Sequence, residues 1–194
     1  MPLFKQLIVF FNLIRLFPHL ILLCLYKNRC KDDIRRGIAH HGYNCNLLWS
    51  FCYLLVFDKC YRNIFYWRIG KIRYFVSCLL PPHNSFDIAT YMTLGKGFLG
   101  IHPVATFVNA ESIGDFFSVK NSVTIGNSSS GRPTIGNNVS INANCVVVGG
   151  ISIGDNVTIG AGTVLMKDVP SDCVVVGNPA YILYQNGVRV NRKL

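Results

Sequence analysis

The second half of the chain repeats a short motif every six residues, and this period restricts the fold more than any other feature. A period of six does not fit an α-helix, whose turn takes about 3.6 residues, or a flat strand, which alternates every second residue. One inward aliphatic per six residues predicts a β-helix, in which each hexad is one flat face and three hexads make a coil. The aliphatic positions that keep the step are Ile113, Val119, Ile125, Ile135, Ile141, Val147, Ile153, Ile159 and Leu165.

The step of six is interrupted twice. One extra residue enters between Leu94 and Ile113, at a place that the pattern leaves open, and four extra residues lie between Ile125 and Ile135. The second interruption falls within 127–133, which reads Asn-Ser-Ser-Ser-Gly-Arg-Pro. A loop ejected from a regular repeat usually carries function. We therefore predict that 127–133 is a polar, flexible, substrate-facing loop, with a plain insertion as the alternative.

The first 86 residues have a different composition from the rest. They hold twelve of the 19 Lys and Arg residues, but only three of the nine acidic residues. The net charge of +10 is therefore concentrated in one region, and we expect no nucleic-acid partner. The pattern divides the chain into a basic, apolar helical region at 1–86, a β-helix domain at 87–183 and a C-terminal tail at 184–194.

The helical region begins with an apolar segment at 3–26, followed by a short polar helix at 31–41 and a long helix at 47–69. The longest uncharged stretch of the first segment, 16–26, is shorter than the roughly 20 residues that span a bilayer. Arg15 and the lack of a cleavage site argue against a signal peptide. Two interpretations remain: a helix lying in a membrane surface, or a helix buried against its own domain or a partner subunit.

The eight cysteines form no CxxC pair and follow no regular spacing. Neither a disulfide framework nor a zinc site has this arrangement. We predict that they are reduced, structural thiols and that the protein binds no metal, which favours a cytoplasmic location.

His102 is the only histidine within the repeat, and it stands where the step of six slips. A lone histidine is more often structural than catalytic, but an irregular rung can turn the side chain outward. Asp87 precedes it by fifteen residues, slightly less than one coil, so we expect the carboxylate to return close to the imidazole. A carboxylate that holds one ring nitrogen leaves the other to accept a proton. The pair is therefore a candidate general base with its orienting partner.

These two residues belong to a longer pattern that resembles the hexapeptide acyltransferases over 87–183. Within them it is most similar to the serine O-acetyltransferases and their polysaccharide-modifying relatives. The matching segments are Asp87-Ile88, Leu94-Gly95-Lys96-Gly97, His102, Ser122-Val123-Thr124-Ile125-Gly126, Ile159-Gly160-Ala161-Gly162-Thr163-Val164 and Val176-Gly177-Asn178-Pro179-Ala180.

The resemblance implies a mainly β protein, a left-handed parallel β-helix with an N-terminal α-helical region, assembled as a homotrimer or a pair of trimers. Acetyl-CoA would lie in the groove between subunits. His102 would take the proton of the acceptor hydroxyl, and Asp87 would orient it. Ala143 and Ala161 would let the pantetheine approach the backbone, and Lys167 would meet a phosphate; core packing is the alternative for the two alanines.

Two positions depart from the serine-specific members. Ile101 stands where they carry an acidic residue, and Gly131-Arg132-Pro133 lacks the histidine of their Arg-His-Pro triplet. An amino-acid zwitterion needs paired charges, and the acidic half is missing. We therefore expect acetyl transfer to a saccharide hydroxyl of a surface polysaccharide or its lipid-linked precursor, with Arg132 and Asn127 binding it. L-serine held by Arg132 is the first alternative, and a non-enzymatic oligomeric scaffold is the second.

A lipid-linked acceptor would account for the basic, apolar N-terminus. We accordingly expect the protein in the cytoplasm, in peripheral contact with the inner face of the membrane.

Overall fold

The computed structural model describes residues 2–194, with helices in the first part of the chain and strands from residue 86 onward. Its helices are α1 Leu3–Phe11, α2 Leu13–His40, α3 Leu47–Phe57, α4 Lys59–Ile69 and α5 Arg73–Val76, with a short 3₁₀ turn at Gly70–Ile72. Its strands are β1 Phe86–Ile88, β2 Thr93–Leu94, β3 Leu99–Gly100, β4 Thr106–Val108, β5 Ser112–Ile113, β6 Ser118–Val119, β7 Thr124–Gly126, β8 Thr134–Ile135, β9 Ser140–Ile141, β10 Val146–Val148, β11 Ser152–Ile153, β12 Thr158–Ile159, β13 Val164–Leu165, β14 Cys173–Val176, β15 Tyr181–Gln185 and β16 Val188–Lys193.

Contacts divide the chain into two compact units. The helical unit runs to Asn84 and includes Lys96–Leu99, and the β-helix unit comprises Ser85–Gly95 and Gly100–Leu194.

The helix boundaries differ from the predicted ones at three places. A break at Asn12 separates α1 from α2, and α2 runs without interruption through both the apolar and the polar predicted segments. The long helix predicted at 47–69 is divided at Asp58, whose extended backbone ends α3 and whose carboxylate accepts the Tyr61 N–H at 2.9 Å to cap α4. Among the described residues no single helix is long and apolar enough to cross a membrane; α1 and α2 meet that measure only together, with an 84° bend between them.

The helical unit has its own core, centred on Phe51, Leu54 and Phe65. It also buries an ion pair: the Asp33 carboxylate accepts from Arg68 Nε at 2.7 Å and from the Phe98 N–H at 2.7 Å. Both carboxylate oxygens therefore accept hydrogen bonds, as a buried charge requires.

The predicted β-helix is confirmed as about five coils of short parallel strands. The strands stack in three sheets, which we call face A (β1, β4, β7, β10, β13), face B (β2, β5, β8, β11) and face C (β3, β6, β9, β12, β14). The aliphatics of the hexads stack on one another, as the pairs Ile113↔Ile135 and Ile141↔Ile159 show, and they fill the core of the helix. The residues 184–194 contain β16, which pairs antiparallel with β15 at the end of face C.

Asparagine and glycine both adopt left-handed backbone at the corners: Asn144 and Asn156 have φ of 60° and 56°, and Gly162 has φ of 72°. Gly114 is required for another reason: a Cβ on it would lie 2.7 Å from the backbone carbon of Gly136 in the next coil. Successive coils therefore approach closely at this column because neither position carries a side chain.

The strand register locates both interruptions of the hexad step. Ile113 pairs with Ile135, 22 residues away, whereas Ile135 pairs with Ile153, 18 residues away, so one coil carries the four-residue insertion. Leu94 pairs with Ile113, 19 residues away, which confirms one extra residue. Between the inward positions Gly100 and Val108 there are eight steps instead of six, and between Val108 and Ile113 there are five. The slip therefore arises from two added residues at 101–105 and one lost at the following corner.

Candidate active site

His102 lies in the corner with the two added residues, between β3 and β4. Gly100 occupies an inward position of the repeat, and a Cβ there would lie 2.8 Å from Pro103 Cγ, so the buried Pro103 fills the space that an aliphatic side chain would take. Its neighbour His102 is exposed and has φ of 47°, and its carbonyl oxygen accepts the Val104 N–H at 2.7 Å. The corner folds inward through Pro103 and carries His102 on the outside.

Asp87 is the outward-facing central residue of β1 on face A. The register pairs it with Phe107, so this coil has 20 residues rather than about 18, and His102 lies five residues before the position above Asp87. The Thr106 N–H donates to Ser85 O at 3.0 Å, which seats the end of the His102 corner on the start of β1. The pairing of the Asp87 carboxylate with the imidazole stays a prediction.

Ala143 and Ala161 lie on the same edge of the three-sided β-helix as His102. We call this the His102 edge: the corners from face C to face A, at 101–105, 120–123, 142–145 and 160–163. The Gly162 N–H donates to Ala143 O at 2.9 Å, so the two alanine corners are stacked on successive coils. Ala161 is exposed and Ala143 half-buried, which excludes core packing for Ala161. Small side chains leave the backbone of this edge accessible to a narrow ligand.

Cys145 is the one cysteine on the His102 edge, and its environment does not suit a nucleophile. The side chain is buried, and its Sγ donates to Gly160 O at 3.0 Å. Burial raises the pKa of the thiol, which disfavours the reactive thiolate. All eight cysteines are free; five are buried, as structural thiols should be, whereas Cys24 and Cys78 are exposed.

The insertion 127–133 lies on the other edge of face A. We call this the Arg132 edge: the corners from face A to face B, at 89–92, 109–111, 127–133, 149–151 and 166–168. The loop closes as a hairpin, because Ser128 and Gly131 exchange backbone hydrogen bonds of 3.0 and 3.1 Å. The Gly150 N–H donates to Ser130 Oγ at 3.0 Å, which fastens the hairpin to the next coil.

Arg132, at the end of the hairpin, contacts two residues that the sequence analysis missed. Its guanidinium donates to Glu111 Oε2, and its Cζ lies 4.9 Å from the centre of the Tyr91 ring. Glu111 stands one coil before the loop, and its N–H donates to Pro133 O at 2.9 Å. The hexad frame could have revealed it, because Ile113 stacks on Ile135 and Glu111 therefore stacks beside Arg132. An acidic group therefore lies beside Arg132, on the edge of face A opposite to Ile101 and His102.

The remaining predicted residues are divided between the two edges. Asn127 is exposed at the start of the hairpin, near Arg132 in the chain, and Lys167 is exposed at the last corner of the Arg132 edge. Ala143 and Ala161 lie on the His102 edge. Within one chain, face A therefore lies between His102 and the Arg132–Glu111 pair. It also lies between Lys167 and the two alanines.

Comparisons with known proteins place this geometry in a family. The sequence model described as bacterial transferase hexapeptide (six repeats) matches residues 132–167. A serine acetyltransferase of Synechococcus elongatus is 35% identical over 162 residues, which are 81% of this chain and 66% of that protein. A putative colanic acid biosynthesis acetyltransferase of Escherichia coli is 38% identical over 101 residues, which are 50% of this chain and 62% of that protein.

The fold is also similar to solved structures. The serine acetyltransferase of Neisseria gonorrhoeae matches with a TM-score of 0.68 and 26% identity, over 86% of this chain and 67% of that one. A structure of the same enzyme in complex with serine matches with a TM-score of 0.64 and 28% identity, over 81% of this chain and 68% of that one. This chain spans between 60% and 66% of the length of the first three curated relatives.

Proposed function

This chain belongs to the hexapeptide-repeat transferases, and we propose that it is an acetyl-CoA-dependent O-acetyltransferase whose acceptor is L-serine. The observation that carries the acceptor is the contact between Arg132 and Glu111 on the edge of face A. The serine acetyltransferases among its relatives support the same acceptor, so the alternative of the sequence analysis is better supported than the saccharide.

The proposed reaction is a direct transfer. His102 removes the proton of the serine hydroxyl, and the oxygen attacks the thioester carbonyl carbon of acetyl-CoA. The C–S bond then breaks, and the CoA thiolate takes the proton back from the imidazolium. Asp87 would hold the second ring nitrogen and stabilise the charged imidazole. The open backbone of the His102 edge at Ala143 and Ala161 suits the narrow pantetheine arm, and Lys167 would meet a phosphate.

The acceptor is proposed from charge complementarity. L-serine carries a carboxylate and an ammonium group, and Arg132 and Glu111 offer one partner of each sign. In the absence of the amino acid the two side chains satisfy each other. Serine would insert between them, its carboxylate on Arg132 and its ammonium group on Glu111, while Asn127 lies at the start of the same loop.

A homotrimer follows from this proposal. His102 and Arg132 lie on opposite edges of face A, so one chain does not present both to one small acceptor. If neighbouring chains meet along their edges, the His102 edge of one and the Arg132 edge of the next would enclose the acceptor. We propose such a trimer, acting in the reducing cytoplasm, where eight free cysteines persist.

A saccharide hydroxyl is the second candidate acceptor. It is favoured by Ile101, which gives the site no acidic residue next to His102, and by the similarity to the colanic acid biosynthesis acetyltransferase. In that case Tyr91, which is 66% exposed beside Arg132, would offer a face on which a sugar ring can stack.

Product analysis with matched acceptors tests the proposal. The purified chain is incubated with acetyl-CoA and L-serine, L-serinamide, N-acetyl-L-serine or a panel of free sugars, and O-acetylated product is quantified by mass spectrometry. We expect turnover with L-serine and a large loss with both derivatives, because each removes one charge. Turnover with a sugar and none with L-serine would establish the second candidate instead.

A further inference from the structure

The helical unit leaves a broad apolar surface uncovered on α1 and the first half of α2. In α1 the exposed residues share one side of the helix, and Phe11 is 80% exposed. In α2 they follow a helical stripe, and Ile14 is 89% exposed. We call this the α1–α2 surface; its members are Leu3, Phe4, Leu7, Phe10, Phe11, Leu13, Ile14, Phe17, Ile21 and Leu25. An apolar patch of this extent on a folded protein marks a binding surface.

The outward position of α1 is fixed by a half-buried contact on its other side. Lys5 Nζ donates to Tyr53 OH at 3.0 Å and to Tyr43 OH at 3.3 Å, and it lies between 5.2 and 5.5 Å from the ring centres of Tyr43, Tyr53 and Phe57. A lysine held by hydroxyls and aromatic faces is a specific anchor. Because this cation points inward to α3, the phenylalanines of α1 must point away from the unit.

The α2 helix is apolar on two opposite sides over its first half. Leu16, Leu22 and Leu23 are buried in the unit, while Ile14, Phe17, Ile21 and Leu25 point outward. One turn after Leu25 the same side of α2 carries the exposed Arg29, and Lys27 is exposed on another side of the helix. The helix thus presents an apolar stripe that is followed, about one turn later, by the positive charge of Arg29.

A second group of exposed residues accompanies this surface near α5. Tyr74 and Phe75 are 68% and 83% exposed, and Lys71 beside them is exposed. Arg15, within the α2 stripe, donates from Nε to Leu79 O at 2.9 Å, which links α2 to the segment that follows α5. The Arg15 contact therefore brings the segment that follows α5 next to the α2 stripe.

We propose that the α1–α2 surface binds the surface of an anionic lipid bilayer, with α1 and α2 lying in the interface. Apolar side chains next to Lys and Arg are the composition of interfacial helices, and basic residues at the rim match anionic headgroups. Because α1 and α2 meet at an 84° bend, the two helices suit lying along a membrane surface better than crossing it as one straight span. This inference does not depend on acetyl transfer.

The main competing occupant is a second copy of this chain, and charge disfavours it. Residues 1–86 carry twelve basic and three acidic residues, a net +9. Two such regions brought face to face would repel each other, whereas an anionic bilayer has the complementary sign. The bilayer is therefore the occupant that satisfies both the apolar stripe and its basic flank.

Flotation of the full chain with vesicles tests the proposal. Vesicles of phosphatidylcholine alone are compared with vesicles containing about a quarter phosphatidylglycerol, at low and high salt. The variants are the triple Phe10→Ser/Ile14→Ser/Phe17→Ser and the double Lys27→Glu/Arg29→Glu. Their controls are Val188→Ser and the double Arg189→Glu/Arg192→Glu on the exposed β16. Circular dichroism checks that each variant is folded, and light scattering records its oligomeric state.

We expect the native chain to float with the anionic vesicles. Each surface variant should lose at least roughly tenfold in vesicle binding, and the controls should bind like the native chain. Binding should fall at high salt because the flank is electrostatic. No flotation of the native chain overturns the proposal. So does a triple variant that dissociates the oligomer without changing vesicle binding, since the surface is then a contact between copies. Acetyl transfer to a soluble acceptor should be equal in all variants, which separates this result from the proposed function.

Discussion

The guanidinium of Arg132 donates a hydrogen bond to the Glu111 carboxylate between two neighbouring coils of the β-helix. The side chain of Glu111 is 61% exposed and that of Arg132 26% exposed, so the pair contributes little to stability. The pair presents two opposite charges at one edge, as the proposed amino-acid acceptor would require.

Replacing Arg132 with Gln should raise the KM for L-serine at least about tenfold, since a charge-assisted hydrogen bond contributes about 1.5–3 kcal/mol. The KM for acetyl-CoA should stay the same. Glu111→Gln should have a similar effect because it removes the partner of the ammonium group. Steady-state kinetics with each substrate varied in turn provide the measurement. Arg189→Gln is the matched control, and a loss confined to kcat would contradict the assignment.

His102→Ala should reduce kcat by about 10²–10⁴-fold, the contribution of a positioned general base. Asp87→Asn should reduce kcat less, because the imidazole remains and only its orientation is weakened. Neither substitution should alter the melting temperature much, since both side chains are exposed. His40→Gln on α2 serves as the control. Unchanged turnover in His102→Ala would remove this residue from the mechanism.

Gly114→Ala should destabilise the β-helix, while Gly126→Ala should be nearly neutral. A Cβ on Gly114 would lie 2.6 Å from Asn137 Oδ1 and 2.7 Å from the Gly136 backbone, whereas a Cβ on Gly126 meets its nearest atom at 4.0 Å. Overpacking of this kind costs about 1–3 kcal/mol, or several degrees in melting temperature. Thermal unfolding at equal protein concentration compares the two. Equal melting temperatures would show that the coils can separate without cost.

The stability of the helical unit should fall as the pH is lowered below about 6.5. His19 is fully buried, with Nε2 2.9 Å from Tyr66 OH and Nδ1 3.0 Å from Arg15 O. Burial lowers its pKa, and the charges of Arg62 and Arg15 lower it further. The unfolded chain therefore binds the proton more tightly, so the loss begins below the unfolded pKa and levels off below the folded one.

Urea unfolding between pH 5 and 7 measures this dependence, and His19→Gln should flatten it. His40→Gln, whose side chain is exposed, should leave the slope unchanged. An identical slope in His19→Gln and the native chain would contradict the assignment to His19.

The hexads were predictable because each one makes the same local contact with the coil above it. Ile135, Ile141 and Ile153 lie inward for the same reason, so the period of six identifies them in the sequence. The number of inserted residues was predictable too, since a break in the count is visible. The need for glycine at position 114 was not, because it arises from the backbone of Gly136 in another coil.

The helical unit was harder to predict from the sequence than the β-helix. The break at Asp58 depends on a carboxylate that caps the next helix, and a capping residue within an apolar run resembles any other charged residue. The sequence also left open whether the apolar residues of α1 are buried or exposed, because they occur on both sides of the helix. The inward anchor of Lys5 on Tyr43 and Tyr53 decides it.

The sequence by itself determined that this chain forms a β-helix, that the repeat is interrupted twice, and that His102 stands at an irregular coil. These properties follow from a local period that every coil obeys. Only the tertiary structure decided that His102 and Arg132 occupy opposite edges of face A, that Glu111 meets Arg132, and that the α1–α2 surface is left uncovered. The physical reason is that each depends on which distant segment stacks on, pairs with or covers a residue, and a period of six does not record that.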